Sequence, residues 1–281
     1  MNIQKNNILK RSDKKPILWD VFYNDSKIKK PLVIFCHGYK GFKDWGSWDL
    51  VAKAFAKVGF IFVKFNFSHN GGSIEQPIDF PNLEAFANNN YSLELEDLQD
   101  IIDYLLSNKN PLLNQIEVSN ITLIGHSRGG GIVSIKAEED LRITHLITWA
   151  SVADYAQRFS KATDLITWKE KGVRYVTNAR TKQQLPHYYQ FYEDFIANLE
   201  RLTISRAVKG LKIPHLIIHG KKDAAVPFSD AQILHQWNPN SELYAIKNAN
   251  HVFGASHPWK EDKLPVDLKS VVQKSIAFLE Q

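Results

Sequence analysis

The sequence predicts an α/β fold: a mainly parallel central sheet, helices on both faces, and a helical cap inserted near the middle. Three observations predict it. Strand-like and helix-like runs alternate along most of the chain. The run Pro31-Leu32-Val33-Ile34-Phe35-Cys36 is apolar at every position, as in a strand covered on both faces. Between residues 152 and 209 the alternation stops and aromatic residues accumulate, which marks an insertion. The 281 residues are accommodated by one domain, 1–281, that carries residues 152–209 as a cap or lid.

The elements follow in order. Residues 3–9 read as an edge strand and 17–23 as a strand, closed by the turn Asn24-Asp25-Ser26. Residues 31–36 are continuously apolar and end in His37-Gly38-Tyr39-Lys40-Gly41. Asp44 is placed to open a helix, because Trp45, Trp48, Val51, Ala52, Phe55 and Val58 fall near helical spacing; Gly59 stops it. Residues 60–67 form the next strand and 76–90 a loop. An amphipathic helix spans 93–106, with Glu94, Glu96 and Asp97 near its positive end. Ile121-Thr122-Leu123-Ile124 is a strand, 131–139 a helix and 143–150 a strand. After the insertion come a strand over 213–220, a helix over 229–237 with Ser229 as its N-cap, a strand over 242–246 and a helix over 266–279.

Composition narrows the function classes. The formal net charge of +5 is spread along the chain, and its short basic runs read as solvated surface, not a nucleic-acid patch. A single cysteine, Cys36, leaves no internal disulfide framework and reads as a buried small hydrophobe. No apolar run spans a bilayer, and residues 1–7 have no signal-peptide core, so a cytoplasmic location is the default expectation. His215 and His219 lie four apart on a strand, where no metal-site motif accompanies them. The glycines in 68–73 lack the Lys-Ser/Thr of a phosphate loop. No metal or other cofactor is expected.

The chemistry centres on Gly125-His126-Ser127-Arg128-Gly129-Gly130. A serine between glycines at a strand-to-helix switch has the form of a nucleophile elbow. In open parallel sheets, sites lie beyond the carboxyl ends of strands. Ser127 does, and so do Asp223 and His251. Asp154 competes with Asp223 as the acid, and His257 with His251 as the base. His37 and His126 flank turn glycines and are read as structural.

The elbow and the order Ser, Asp, His resemble the α/β-hydrolase superfamily over nearly the whole chain. His37-Gly38-Tyr39-Lys40-Gly41 resembles its oxyanion loop, His219-Gly220-Lys221-Lys222-Asp223 its acid loop, and Asn250-His251-Val252-Phe253 its histidine loop. The closest likeness is to bacterial serine esterases related to dienelactone hydrolase, cinnamoyl esterases and prolyl-oligopeptidase catalytic domains. Dienelactone hydrolases proper use cysteine where this chain has Ser127. The resemblance implies a serine hydrolase with Ser127 as nucleophile, His251 as base, Asp223 as acid, and the backbone N–H groups of Tyr39 and Arg128 as oxyanion donors. It implies a carboxylic ester of a small molecule as substrate. A thioesterase or small peptidase shares such a triad, and a non-catalytic ligand-binding homologue is the rival of another class. The aromatic insertion implies a pocket for an apolar or aromatic group, with Tyr155, Trp168, Tyr188 and Tyr192 as candidate lining residues.

Overall fold

The computed structural model describes residues 1–159 and 162–281. Its strands are β1 (Asn2–Arg11), β2 (Lys14–Tyr23), β3 (Lys30–Cys36), β4 (Ile61–Phe65), β5 (Ile116–His126), β6 (His145–Trp149), β7 (Val173–Thr177), β8 (Gln184–Tyr188), β9 (His215–Gly220) and β10 (Glu242–Ile246). Its helices are α1 (Trp48–Lys57), α2 (Leu83–Ala87), α3 (Tyr91–Leu105), α4 (Arg128–Glu139), α5 (Ala162–Lys171), α6 (Gln190–Ala197), α7 (Ile204–Gly210), α8 (Phe228–Trp237) and α9 (Val266–Leu279). Eight strands form one sheet in the order β1-β2-β4-β3-β5-β6-β9-β10. Pairing is antiparallel from β1 through β2 to β4, and parallel from β4 to β10.

The continuously apolar run of β3 is covered on both faces, and the period of two sorts its side chains. Ile34 and Cys36 of β3 pack with Leu95, Leu98 and Ile102 of α3 and Ile132 of α4. Val33 and Phe35 point the other way, to Val51 and Phe55 of α1 and Leu268 and Val271 of α9. Burying one such side chain fully stabilises by about 1.5–3 kcal/mol. The parallel strands end on one edge, so the loops after β3, β5, β6, β9 and β10 gather there.

Four sequence expectations change. The first helix begins at Trp48, not Asp44. Asp44 instead joins a buried ion cluster, 2.8 Å from Lys64 Nζ, while Asp20 lies 2.8 Å from Lys43 Nζ and 2.6 Å from Lys64 Nζ. Direct ammonium partners outweigh a helix N-terminus, whose pull on a carboxylate is typically about 0.3–1 kcal/mol. The 76–90 segment contains α2, capped by the Asn82 side chain accepting from Ala85 N at 2.9 Å. One turn is too short to produce a periodic signal. The N-cap of α8 is Pro227, extended at φ −63° and ψ 147°, so Ser229 lies inside the helix.

The insertion holds helices α5, α6 and α7, but also a hairpin, β7 paired antiparallel with β8. Pro186 within β8 hides the strand from sequence, since proline is tolerated only at sheet edges. Here β8 is an edge of a two-stranded sheet, with Leu185 fully buried against Phe42, Phe80 and Phe86. No helix among the described residues is long and apolar enough to cross a membrane.

Candidate active site

Ser127 sits between β5 and α4 at φ 58° and ψ −120°. This left-handed backbone costs a serine about 1–3 kcal/mol and persists because the surroundings fix it. Two glycines permit the fixing. A Cβ on Gly125 would lie 2.3 Å from the Gly129 carbonyl oxygen; one on Gly129 would lie 2.6 Å from the carbonyl oxygens of Cys36 and His37. The Ser127 N–H donates to the Trp149 carbonyl at 2.9 Å, so β6 holds the turn in place.

The loops after β9 and β10 bring two further groups to Ser127. His251 Nε2 is 3.0 Å from Ser127 Oγ, and His251 Nδ1 is 2.7 Å from Asp223 Oδ2. The other oxygen of Asp223 accepts from Ala225 N at 2.8 Å and Val226 N at 2.9 Å. Burial opposes ionisation of Asp223, yet bonds from His219, His251 and the Val226 N–H hold its carboxyl well below the usual carboxylate range. An ionised Asp223 fixes the His251 ring with Nε2 towards the serine, the orientation a general base requires.

The competing candidates lie elsewhere. Asp154 accepts from Ala156 N at 2.7 Å, a local turn. His257 Nδ1 accepts from Gly46 N at 2.9 Å, and its ring packs on Phe42 and Trp45. His126 Nε2 meets the His251 carbonyl at 2.9 Å and so holds the histidine loop. Burial and the adjacent His251 push His126 down to about 3, which keeps it neutral and donating. His37 Nδ1 meets the Gly38 carbonyl at 2.9 Å. His219 bonds the Val226 carbonyl at 2.9 Å and supports the acid loop; His215 bonds Thr148 Oγ1 at 3.1 Å.

The loop after β3 packs directly on the elbow: a Cβ on Gly38 would lie 2.8 Å from Ser127 Cβ. Tyr39 and Arg128 both face the cavity beside Ser127. Among the described residues, neither of their N–H groups donates in a backbone hydrogen bond outside the helices and strands.

The cavity is about 410 Å³, bounded by Ser127 and His251 on one side and by the insertion on the other. Of the four aromatic residues singled out from sequence, Tyr155 lines it. The Tyr155 hydroxyl donates to the Arg128 carbonyl at 3.0 Å, and its ring stacks on Tyr91 with centroids 3.8 Å apart. The other three do not line it. In β8 the period of two turns His187 to the cavity and Tyr188 away, where its hydroxyl meets Glu84 at 2.7 Å. Trp168 donates to the His187 carbonyl at 2.8 Å from behind the hairpin. Tyr192 packs on Phe159 and Tyr189, while its neighbour Phe191 faces the cavity. Sequence reasoning missed Tyr91, His187 and Phe191. For His187, strand parity carried the signal once β8 was recognised.

Three carboxylates, of Asp20, Asp44 and Asp49, lie within 4.8 Å of one another. Each is bonded to a lysine ammonium: Lys43 on Asp20, Lys64 on Asp44, Lys5 on Asp49, the last at 2.8 Å. The lysines occupy the positions a cation would take.

Comparison with known proteins places the fold and the family. The structure is similar to Est1E from Butyrivibrio proteoclasticus, at TM-score 0.67 and 15% identity, covering 99% of each chain. It is similar to the alpha/beta hydrolase GrgF from Penicillium sp. sh18, at TM-score 0.68 and 17% identity, covering 100% of this chain and 98% of that one. A curated relative, monoacylglycerol lipase ABHD6 of Rattus norvegicus, is 28% identical over 92 residues. That match spans 32% of this chain and 27% of the relative's length. The BD-FAE family model matches residues 19–238, well over half of the chain. The chain therefore belongs to the BD-FAE family, and its fold is that of the α/β-hydrolases.

Proposed function

We propose that this chain is a serine hydrolase that cleaves small-molecule carboxylic esters through an acyl-enzyme. The observation that carries the reading is the relay from Ser127 Oγ through His251 to Asp223, with links of 3.0 and 2.7 Å, in the wall of a cavity. A serine hydroxyl is a weak nucleophile until a base takes its proton. His251 Nε2 takes it as Ser127 Oγ attacks the ester carbonyl, and Asp223 stabilises the imidazolium. The N–H groups of Tyr39 and Arg128 receive the oxyanion; losing one such donor typically costs about 3–4 kcal/mol in the transition state. His251 then protonates the departing alcohol. Water, activated by the same imidazole, attacks the acyl carbon and releases the acid and Ser127. No metal or cofactor enters these steps.

The rings of Tyr39, Tyr91, Tyr155 and Phe191 make much of the cavity wall. They support an apolar or aromatic group on the acyl or alcohol side of the ester. The test is a p-nitrophenyl ester series run beside acyl-CoA thioesters and aminoacyl amides. The reading predicts that esters turn over fastest and that Ser127→Ala abolishes it. Faster turnover of an amide or a thioester than of the matching ester overturns the ester assignment.

A further inference from the structure

A buried histidine beside the acid loop does more than fill space. His219, the penultimate residue of β9, has a fully buried side chain. Its Nε2 lies 2.9 Å from the Val226 carbonyl oxygen and 3.3 Å from Asp223 Oδ2. A carbonyl only accepts, so Nε2 carries the proton and Nδ1 is a bare acceptor. That Nδ1 is buried and meets no hydrogen-bond partner. Leaving a buried acceptor unmet costs stability, and an apolar side chain would fill the space without that cost. The imidazole is therefore explained by what its Nε2–H reaches, which is the acid loop alone.

Asp223 relies on that N–H. An ionised carboxylate offers about four lone-pair positions. Ala225 N and Val226 N bond Oδ1, while His251 Nδ1 and His219 Nε2 face Oδ2. The Asp223 side chain is sealed from solvent, so no water replaces a donor that is removed. Burial pushes the carboxyl up; the bond from His219, then that from His251, bring it well below the usual carboxylate range.

The other charged and titratable groups nearby act from further off. Arg158 reaches the Ala225 carbonyl at 3.3 Å and is paired with Asp230 at 3.2 Å. Lys221 Nζ stands 5.6 Å from the ring centroid of Phe228, which is 6.0 Å from that of His219. The His126 ring lies 4.9 Å from the His251 ring and bonds the His251 carbonyl. Lys40, Arg128, Arg158 and Arg174 share the cavity wall with His251. Among the described residues, His219 and His251 are the ionisable groups in contact with the Asp223 carboxylate.

We propose that His219 is a positioning residue of the catalytic relay: its Nε2–H closes the acid loop onto Asp223 Oδ2 and limits how tightly that oxygen holds the His251 imidazolium. The proposal rests on the serine-hydrolase reading above. With the donor removed, Oδ2 becomes the stronger base. It keeps the imidazolium, and a proton of its own, to higher pH. Both effects have one sign: the active form, with Asp223 ionised and His251 ready to take the Ser127 proton, appears at higher pH. The loop also loses the contact that fixes Oδ2, so the His251 ring is less well aligned and kcat falls.

The experiment compares His219→Gln, whose side-chain N–H can stand where Nε2–H stood, with the apolar variants His219→Phe and His219→Met. Hydrolysis of p-nitrophenyl butanoate is followed across the pH range in which an imidazole titrates, on variants that circular dichroism and urea unfolding show to be folded. The apolar variants should lose about tenfold or more in kcat with KM little changed. Their acid limb of kcat/KM should move up by about half a pH unit or more. His219→Gln should keep the wild-type limb and most of kcat. A folded apolar variant with the wild-type limb overturns the proposal whatever its kcat, because lost packing lowers activity without moving the limb. So does a limb in His219→Gln raised as far as in His219→Phe. If neither apolar variant folds, His219→Asn, polar but too short to reach Oδ2, is judged by the same limb. If the wild type turns over no ester, the esterase reading fails, and the pH dependence of fluorophosphonate labelling at Ser127 gives the limb instead. An unmoved limb there overturns the proposal; no labelling at Ser127 overturns it together with the serine-hydrolase reading.

Discussion

The Tyr39 hydroxyl and His187 Nε2 stand 2.7 Å apart and join the loop after β3 to the inserted hairpin. Tyr39 also carries a backbone N–H beside Ser127, so the insertion braces the segment proposed to hold the oxyanion. Burial raises the Tyr39 phenol and lowers His187, so the pair is neutral. Tyr39→Phe keeps the backbone donor and the ring under Arg128 but removes this link. We expect kcat to fall several-fold, with a stability loss of about 1–3 kcal/mol from the unpaired His187 nitrogen. Steady-state kinetics and urea unfolding of Tyr39→Phe check both; an unchanged kcat would separate the insertion from the oxyanion loop.

Asp223 and Asp154 both follow strands of the sheet, and geometry assigns them different work. Asp223→Asn should lower kcat by about 10⁴, because an amide no longer fixes the tautomer of His251. Asp154→Asn should change kcat little, since Asp154 caps only the turn at Ala156. Circular dichroism establishes that each variant folds. The reverse ranking would make Asp154 the acid.

Acid should destabilise the fold through histidines buried in the neutral state. Burial holds His215 at about 3, far under its ordinary 6.5. The unfolded chain therefore takes up a proton that the folded chain refuses, and His215 contributes stability in full above its unfolded pKa. That contribution is lost as pH falls from about 6.5 towards 3, and amounts to about 2 kcal/mol between pH 6 and pH 4. His37 and His126 act in the same direction. Urea midpoints across this range should fall steadily in the wild type. His215→Gln, which cannot charge, should show a shallower fall; an identical slope excludes His215 as a contributor.

Gly129→Ala places a methyl where two carbonyl oxygens already stand. Overpacking of this kind costs about 1–3 kcal/mol. The displaced elbow should also lose most activity, because Ser127 Oγ and the Arg128 N–H move together. Kinetics on the residual folded protein and a urea titration test this; a stable and fully active Gly129→Ala would mean that the elbow can relax.

How much of this was legible in the sequence depended on which signal each element carried. Strand β3 announced itself by unbroken apolarity and β9 by an apolar run ending in a glycine turn, and β10 and α9 fall on the expected residues 242–246 and 266–279. Ser127, Asp223 and His251 were findable because each follows a strand of a parallel sheet. The insertion was opaque for a physical reason. Its aromatic residues serve packing and cavity alike, and only strand parity separates His187, which faces the cavity, from Tyr188, which does not. Asp44 was read as a helix start because the lysines that claim it, Lys5, Lys43 and Lys64, include two distant in sequence. The cations in the cavity wall come from four separate segments, and no local pattern unites them.

The central claim is that Ser127 is an activated nucleophile. Labelling with a fluorophosphonate, followed by mass spectrometry of the modified peptide, tests it most directly. The account predicts a single adduct on Ser127 in the wild type, much slower labelling in His251→Ala, and none in Ser127→Ala. Equal labelling of the wild type and Ser127→Ala would contradict it.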